Sequence, residues 1–555
     1  MDPITLEVAR HRLQGIADEM QATQVNASFS SAVKEAADAA ASLFLPDGTV
    51  LAQSASIPFH LGTLIPAVAN VLARFPAAGM REGDIHLLNS PYHGGSHVPD
   101  IVIVLPVFHD GRLIALSASV AHHNDLGGMT PGSLPPNATE IFQEGLLVPP
   151  MLWERDGVPN ATLRELLLLN VRTPETLAGD IDGQIGACRI GARRLVEMAE
   201  EHGTEGLAAL CDALIAQSER RTRAELARIP EGTWHAEDWL DNDGVDLDRR
   251  VPIRVAVTIR GGAMHVDFTG TSAQTRGPIN AVPSAAQAAA LFAVRCITDP
   301  TIPSNGGCFR PVTLTLPEGS LVNPRFPAPV NARTGTVKRL ASTILAALRP
   351  ALPEVLTAPW AALTLVCRYI GTDAEGRRVV VGDHFVGGTG AALHRDGVDV
   401  IAADMGNTWS LPAETIELEA PVRILRNAIR PDSGGAGRTR GGNGLVREFE
   451  VLCPEMDFVH RGERHFEPAR GVEGGRDGAP SVTTVIRADG RREDVPSKAM
   501  VRLRQGDRVR IETAAGGGWG DPRARDPERV RDDLADGKIS ATAARDIYGL
   551  AEREA

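Results

Sequence analysis

The sequence predicts a mixed α and β fold of interwoven lobes: strand-rich hairpins gathered around a cluster of histidines, a helical segment, and a glycine-rich β C-terminal region. Three observations carry that prediction. Two hairpin signals frame a histidine-rich stretch between residues 38 and 123. Helical periodicity fills 160–228. Residues 380–520 alternate strand-like runs with glycine clusters.

The chain opens on a helix. Leu6, Leu13, Ile16 and Met20 fall on one stripe with Ala9 between them, Asp2 stands at the N-cap and Pro3 at the first helical position. "ASLFL" and "TVLAQ" around "PDG" predict a first hairpin within 38–60; "DIVIVLPVF", "HDGR" and "LIALSASVA" predict a second. In the helical segment, "GACRIGARRLVEMAEEHG" stops at Gly203, and "LIAQSERRTRAELARI" runs on to Pro230. Strands resume near 233, where "VPIRVAVTIRGGAMHVDFTG" turns at Gly261-Gly262. Helices are expected over 283–298 and near 335–349. The glycine run "PDSGGAGRTRGGNG" (431–444) is not followed by a helix, so it reads as a structural loop rather than a phosphate cradle. Two short helices close the chain, one ending at Gly537 and one capped by Ser540. The expected division is an N-terminal lobe over about 1–232, a β-rich remainder over about 233–525 and a helical tail over 526–555.

Composition excludes several functions. The chain has 555 residues, 43% hydrophobic and 23% charged, as a soluble globular protein has. A net charge of −13 leaves no basic surplus for nucleic acid or an anionic membrane surface. The longest apolar runs, 101–108 and 285–294, are too short to span a bilayer. The N-terminus shows no signal-peptide pattern, and six scattered cysteines without a CxxC pair read as reduced thiols, so a cytoplasmic location is expected.

Seven of the 15 histidines (His60, His86, His93, His97, His109, His122 and His123) lie between 60 and 123, where an even spread would leave roughly two. If Asp110-Gly111 form a two-residue turn, Asp100 faces Ala121 and Pro99 faces His122. The turn therefore carries His122 to the "HVPD" segment, at the open end of the hairpin with His97 and Asp100. Two imidazoles and a carboxylate form a credible metal set, so the hairpins surround a candidate metal site. With Asp47-Gly48 as the first turn, Asp38 sits at that hairpin's open end, opposite Ile57 and near His60. Nothing in the sequence brings the two hairpins together. His86 and His109 flank strands as surface residues, while His60, His93 and His123 are candidates for holding a substrate.

Neither a Walker phosphate loop, a GxSxG elbow, an HExxH helix nor a dinucleotide fingerprint appears. Instead, "IPFHLGTL" (57–64), "NSPYHGGSHVPDIVIVLPVF" (89–108), "AHHNDLGGMTPGS" (121–133), "QEGLLVPP" (143–150), "PDSGGAGRTRGGNG" (431–444) and "AAGGGWGDP" (514–522) together resemble the hydantoinase B/oxoprolinase family over nearly the whole chain. The resemblance implies a divalent metal (zinc, manganese or iron) held by Asp38, His97, Asp100 and His122. It also implies a partner of the hydantoinase A type, which binds ATP and phosphorylates the amide of a hydantoin, oxoproline or other lactam, within a hetero-oligomer. The chain itself is then expected to be the metal-binding subunit of an ATP-dependent cyclic amidohydrolase, opening the ring with metal-activated water. Asp125 and Glu144 are candidates for orienting groups or transferring a proton. Two alternatives stand beside this: a subunit of an ATP-dependent ketone carboxylase, and a non-catalytic scaffold for the A-type partner. Two segments depart from the family pattern, "EAADAAAS" around Asp38 and "NARTGTVKR" (331–339).

Overall fold

The computed structural model describes residues 2–551. The first helix, Pro3–Ala27, starts as the sequence indicates, with the Asp2 carboxylate accepting from the Thr5 amide at 3.0 Å. Its stripe of Ala9, Leu13, Ile16 and Met20 is buried. Strands β1 (Ala39–Phe44), β2 (Val50–Gln53), β3 (Ile85–Leu88), β4 (Asp100–His109), β5 (Arg112–His122), β6 (Met151–Arg155) and β7 (Val158–Pro159) follow. They form one antiparallel sheet in the order β2-β1-β5-β4-β3-β6-β7.

Both faces of this sheet are covered, which is why "DIVIVLPVF" is apolar without alternation. Ala41, Leu43, Ile101 and Ile103 point into a core shared with Ile181 and Ile185 of the long helix Pro174–His202. Ala40, Phe44, Val102 and Val104 point the other way, onto Leu64, Ala67, Val68 and Val71 of a helix over Pro58–Arg74. That helix is not among the elements the sequence predicts, which end the first hairpin at 60. Its internal Pro66 and Gly62 hide the helical pattern, although Pro58 occupies an N-terminal position that proline favours.

The helix Pro174–His202 ends at Gly203, where Thr204–Leu226 begins. Strands β8 (Gly232–Leu240), β9 (Val251–Arg260), β10 (Ala263–Asp267) and β11 (Val312–Thr315) make a second sheet, β11-β10-β9-β8. The expected helices appear as Pro283–Cys296 and Arg333–Leu348, and the latter packs on β8 and β9. Strands β12 (Thr364–Thr372), β13 (Arg378–Val386), β14 (Val422–Ile429), β15 (Leu445–Val451), β16 (Glu455–Arg461), β17 (Val482–Ile486), β18 (Arg492–Asp494), β19 (Lys498–Arg504) and β20 (Arg508–Glu512) build two more sheets, β13-β12-β16-β19 and β14-β15-β20-β17-β18. The lobes are interwoven: one core runs from Ala9 to Met405, and a second joins Ala36 to residues between Ala361 and Ala514.

The glycine run at 431–444 lies against residues 513–519 and 387–398. Most of its amides are spent on backbone carbonyls or side-chain oxygens, as in Gly442 to the Thr389 carbonyl (2.8 Å), Gly441 to the Gly435 carbonyl (2.9 Å) and Asn443 to Asp399 Oδ1 (2.6 Å). A Cβ at Gly442 would overlap the Val398 carbonyl, so glycine is needed there for close approach of two backbones. The tail helices are Pro527–Ala535 and Ala541–Asp546, the second capped by Ser540. All six cysteines are free thiols. Among the described residues no helix is long and apolar enough to cross a membrane.

Candidate metal centre

The second hairpin pairs one residue away from the simple count. Near its turn the register is as expected, with Phe108 opposite Leu113. A bulge at Val107/Phe108 then inserts Ile114, so Asp100 stands directly opposite His122 rather than opposite Ala121. The shift puts both side chains on one face of the sheet. The first hairpin joins at the same end, because β1 pairs with β5 and Ala39 faces Ala121. The His122 amide donates to the Asp38 carbonyl at 3.0 Å. Asp38 enters β1 directly after Ala37, whose φ of 53° turns the chain out of the short helix Ser31–Lys34.

Three donor atoms converge here. His97 Nε2 lies 2.9 Å from Asp100 Oδ1 and 3.1 Å from His122 Nδ1, and His122 Nδ1 lies 3.1 Å from Asp100 Oδ1. Donors held at right angles around one cation at about 2.1 Å would be about 3.0 Å apart. The triangle therefore has the size of one face of a metal's coordination shell. Protonation agrees. Burial and the nearby Arg333 guanidinium push His97 down to about 3, leaving a neutral imidazole. Its Nδ1 faces the Asn331 carbonyl at 3.3 Å, which fixes hydrogen there and aims the Nε2 lone pair at the cluster. Burial opposes ionisation of Asp100, but His60 and the hydrogen bond with His122 outweigh it and hold the carboxyl well below the usual range.

Asp38 and His60 form the flank of this cluster. Asp38 Oδ1 lies 2.8 Å from His60 Nε2, and His60 Nδ1 lies 3.8 Å from Asp100 Oδ2. Burial works against charge on Asp38, yet His60 draws its carboxyl down to about 2. Burial likewise opposes the His60 proton, and the Asp100 and Asp38 carboxylates still raise its affinity. His60 Nδ1 is buried without a hydrogen-bond partner. The Asp38 side chain is thus turned to His60 and is not among the three converging donors.

The cluster opens onto a cavity of about 120 Å³, of the order that takes one small ring, given that about 150 Å³ holds a benzene. Its lining includes charged groups, with Arg333, Arg368 and Arg461 beside Asp38 and the histidines, and apolar ones, with Ile57, Phe59, Leu134, Val337, Met405 and Leu411. No sequence motif singles these arginines out. Arg333 bonds Asp100 Oδ2 at 3.0 Å and Ser96 Oγ at 2.9 Å, and stacks over the Phe59 ring at 4.4 Å. Ser96 also donates to Asp100 Oδ2. Arg368 Nη2 reaches His122 Nε2 at 3.3 Å, and Arg461 Nη1 donates to Asn331 Oδ1 at 2.9 Å. The departure of "NARTGTVKR" from the family pattern is the one signal in that segment, and it falls on Asn331 and Arg333.

The remaining candidates are placed elsewhere. Asp125 is buried off the cavity, where its carboxylate accepts from the amides of Gly127, Gly132 and Arg172 and from Arg172 Nη1 at 3.0 Å. With both oxygens engaged, it pins the 125–132 loop and does not face a reacting group. Glu144 is buried behind the site. Its Oε1 accepts from the amides of Val330 (2.9 Å) and Asn331 (2.8 Å), so it holds the segment whose carbonyl orients His97. Burial pushes its carboxyl up to about 8. His93 is exposed and bonds Ser90 Oγ at 2.9 Å. His123 points to the opposite face of the sheet, where its Nε2 meets Gln184 Oε1 at 3.0 Å in the long helix; alternation along β5 separates it from His122. His86, read from the sequence as a surface residue, is buried against Phe75 with ring centroids 4.8 Å apart.

Comparison with known proteins gives a consistent picture. The family model for hydantoinase B/oxoprolinase matches residues 2–522. A putative D-/L-hydantoinase component from Pseudomonas sp. (strain NS671) is 33% identical over 569 residues, covering 99% of this chain and 95% of its own. The crystal structure of ATP-dependent caprolactamase from Pseudomonas jessenii superposes with a TM-score of 0.91 at 32% identity, covering 99% of this chain and 96% of that one. A nucleotide-free acetone carboxylase structure shares the fold, with a TM-score of 0.89 at 20% identity over 99% of this chain and 79% of that one.

Proposed function

Because the chain belongs to the hydantoinase B/oxoprolinase family, we propose that it is the ring-opening subunit of an ATP-dependent cyclic amidohydrolase. Its substrate is a hydantoin, an oxoproline or another lactam, phosphorylated on the amide by an ATP-binding partner of the hydantoinase A type. The observation that carries this is the convergence of His97, Asp100 and His122 on the wall of a cavity sized for one small ring. Asp38 lines the same cavity and is the fourth ligand proposed, on turning from His60.

His97, Asp100 and His122 would hold a divalent cation, with Asp38 as fourth ligand, and the cation would supply Lewis acidity and a lowered water pKa there. The chain's own side chains do the rest. Ser96 and Arg333 hold Asp100 from its Oδ2 side, leaving Oδ1 toward the histidines. Holding a cation through Nδ1 of His122 requires hydrogen on Nε2, which releases Arg368 to face the cavity. His60 lines the cavity with its Nδ1 3.8 Å from Asp100 Oδ2 and is placed to pass a proton to the ring nitrogen as the carbon–nitrogen bond breaks. The apolar lining residues Ile57, Phe59 and Met405 receive the ring's substituents and exclude bulk water.

The test is an ATP-coupled screen of hydantoins, oxoproline and caprolactam, with the chain assembled on its cognate partner and ring-opened product measured directly. Product from one of these classes is expected. Bicarbonate-dependent carboxylation of a ketone with no ring opening would replace this reading with the carboxylase one.

A further inference from the structure

Two guanidinium groups lining the cavity have no carboxylate within ion-pair distance. Arg368 on β12 and Arg461 on β16 are 5% and 6% exposed. Val366 pairs directly with Arg461, so Arg368, two residues along β12, is its diagonal neighbour on the same sheet face. Each makes a single side-chain contact, and neither is to a carboxylate: Arg368 meets His122 Nε2 and Arg461 donates to Asn331 Oδ1. Among the described residues neither forms an ion pair within 4.0 Å, and the Nε of Arg461 is buried without a partner. The third arginine is different, because Arg333 is neutralised by Asp100 at 3.0 Å. Lys338, also on this cavity, is neutralised by Asp404 at 2.8 Å.

Burying an unpaired charge is costly, and two adjacent like charges add their own repulsion. The fold nevertheless makes room for them. A Cβ at Gly382, opposite Arg368 in the β12–β13 pair, would overlap Arg368 Nη1, and a Cβ at Gly132 would lie 2.9 Å from its Nε. A buried guanidinium without an ion-pair partner, given its room by two glycines beside a cavity, suits an anion that arrives with the substrate. Arginine's planar fork suits a tetrahedral oxyanion, and two unpaired cations match a dianion better than a carboxylate's single charge.

We infer that Arg368 and Arg461 form the subsite for the phosphoryl group of the activated amide, seating its dianion beside His122 while the ring lies against the apolar lining residues. This deepens the ring-opening proposal and rests on it. It assigns the chain a preference for phosphorylated over free lactam, and it makes handover from the partner directional.

The test uses the full chain, stripped of divalent cations by chelation so that only side chains can hold the anion, and titrated by calorimetry with inorganic phosphate and separately with acetate. Saturable one-to-one phosphate binding is expected, with acetate at least tenfold weaker. Arg368→Met and Arg461→Met should each weaken phosphate tenfold or more, and Arg461→Lys should recover part of the loss. Elemental analysis after reloading should find wild-type metal content in Arg461→Met. Failure of the wild-type chain to bind phosphate, or undiminished binding by Arg461→Met, would overturn the assignment. Acetate binding as tight as phosphate would also overturn it, pointing to a carboxylate on the substrate. These outcomes leave the ring-opening reading intact, whereas a wild-type chain that cannot be reloaded with metal removes the reading underneath.

Discussion

Replacing Glu144 with Gln separates a structural carboxyl from the chemistry beside it. Burial pushes Glu144 from 4.5 to about 8. The folded chain therefore keeps a proton that the unfolded chain releases above pH 4.5. The stability it contributes is full below that value, falls as pH rises, and is lost once pH passes about 8. One pH unit within this window corresponds to about 1.4 kcal/mol, so the whole interval is worth about 5 kcal/mol as an upper bound. Glutamine carries no such proton, and its amide oxygen can still accept from Val330 and Asn331 as Glu144 Oε1 does. The stability of Glu144→Gln relative to wild type should therefore rise by about 1 kcal/mol per unit between pH 6 and 8. Paired urea unfolding curves at pH 6, 7 and 8 measure that gap. A gap that stays constant across the range would show that Glu144 is ionised in the folded chain, and would refute its place as a neutral clamp on the 330–331 segment.

Other outcomes follow from the same geometry. His97→Ala should lose most of the bound metal by elemental analysis, while His123→Ala should retain it, because His123 bonds Gln184 on the far face of the sheet. The isolated chain should show no tight ATP binding by calorimetry, since most amides of the 431–444 glycine run are already bonded within the protein; nanomolar affinity would contradict this. Gly382→Ala should displace the Arg368 guanidinium and weaken phosphate binding several-fold with metal content unchanged.

The helices and hairpins that carry the site are legible because their signals are local. Asp2 and Pro3 mark one helix start, Gly203 marks an end, and the Asp-Gly turns mark both hairpins. The pairing of Asp100 with His122 is legible only to within one residue. The bulge that shifts it sits at Val107/Phe108, in a run apolar on both sides where no alternation reports the slip. His122 and His123 can be told apart only by that register. The meeting of the hairpins through β1 and β5 is a long-range contact that no spacing encodes. Arg333, Arg368 and Arg461 are isolated cations on three different elements, and only the topology makes them neighbours. Asp125 looks like chemistry because it follows two histidines, yet the glycines beside it need an acceptor for their amides.

The central claim is that this chain opens a ring its partner has activated, and Asp100→Ala in complex with the wild-type partner tests it most directly. In this account Asp100 contributes a donor to the proposed metal set and ATP is held by the partner. Phosphate release and ring-opened product are measured side by side in one reaction. The account predicts that product formation is abolished while phosphate release continues, as activated amide forms and decays without productive hydrolysis. Full product formation by the Asp100→Ala complex would show that ring opening does not depend on this site, and would leave the chain as a scaffold for its partner.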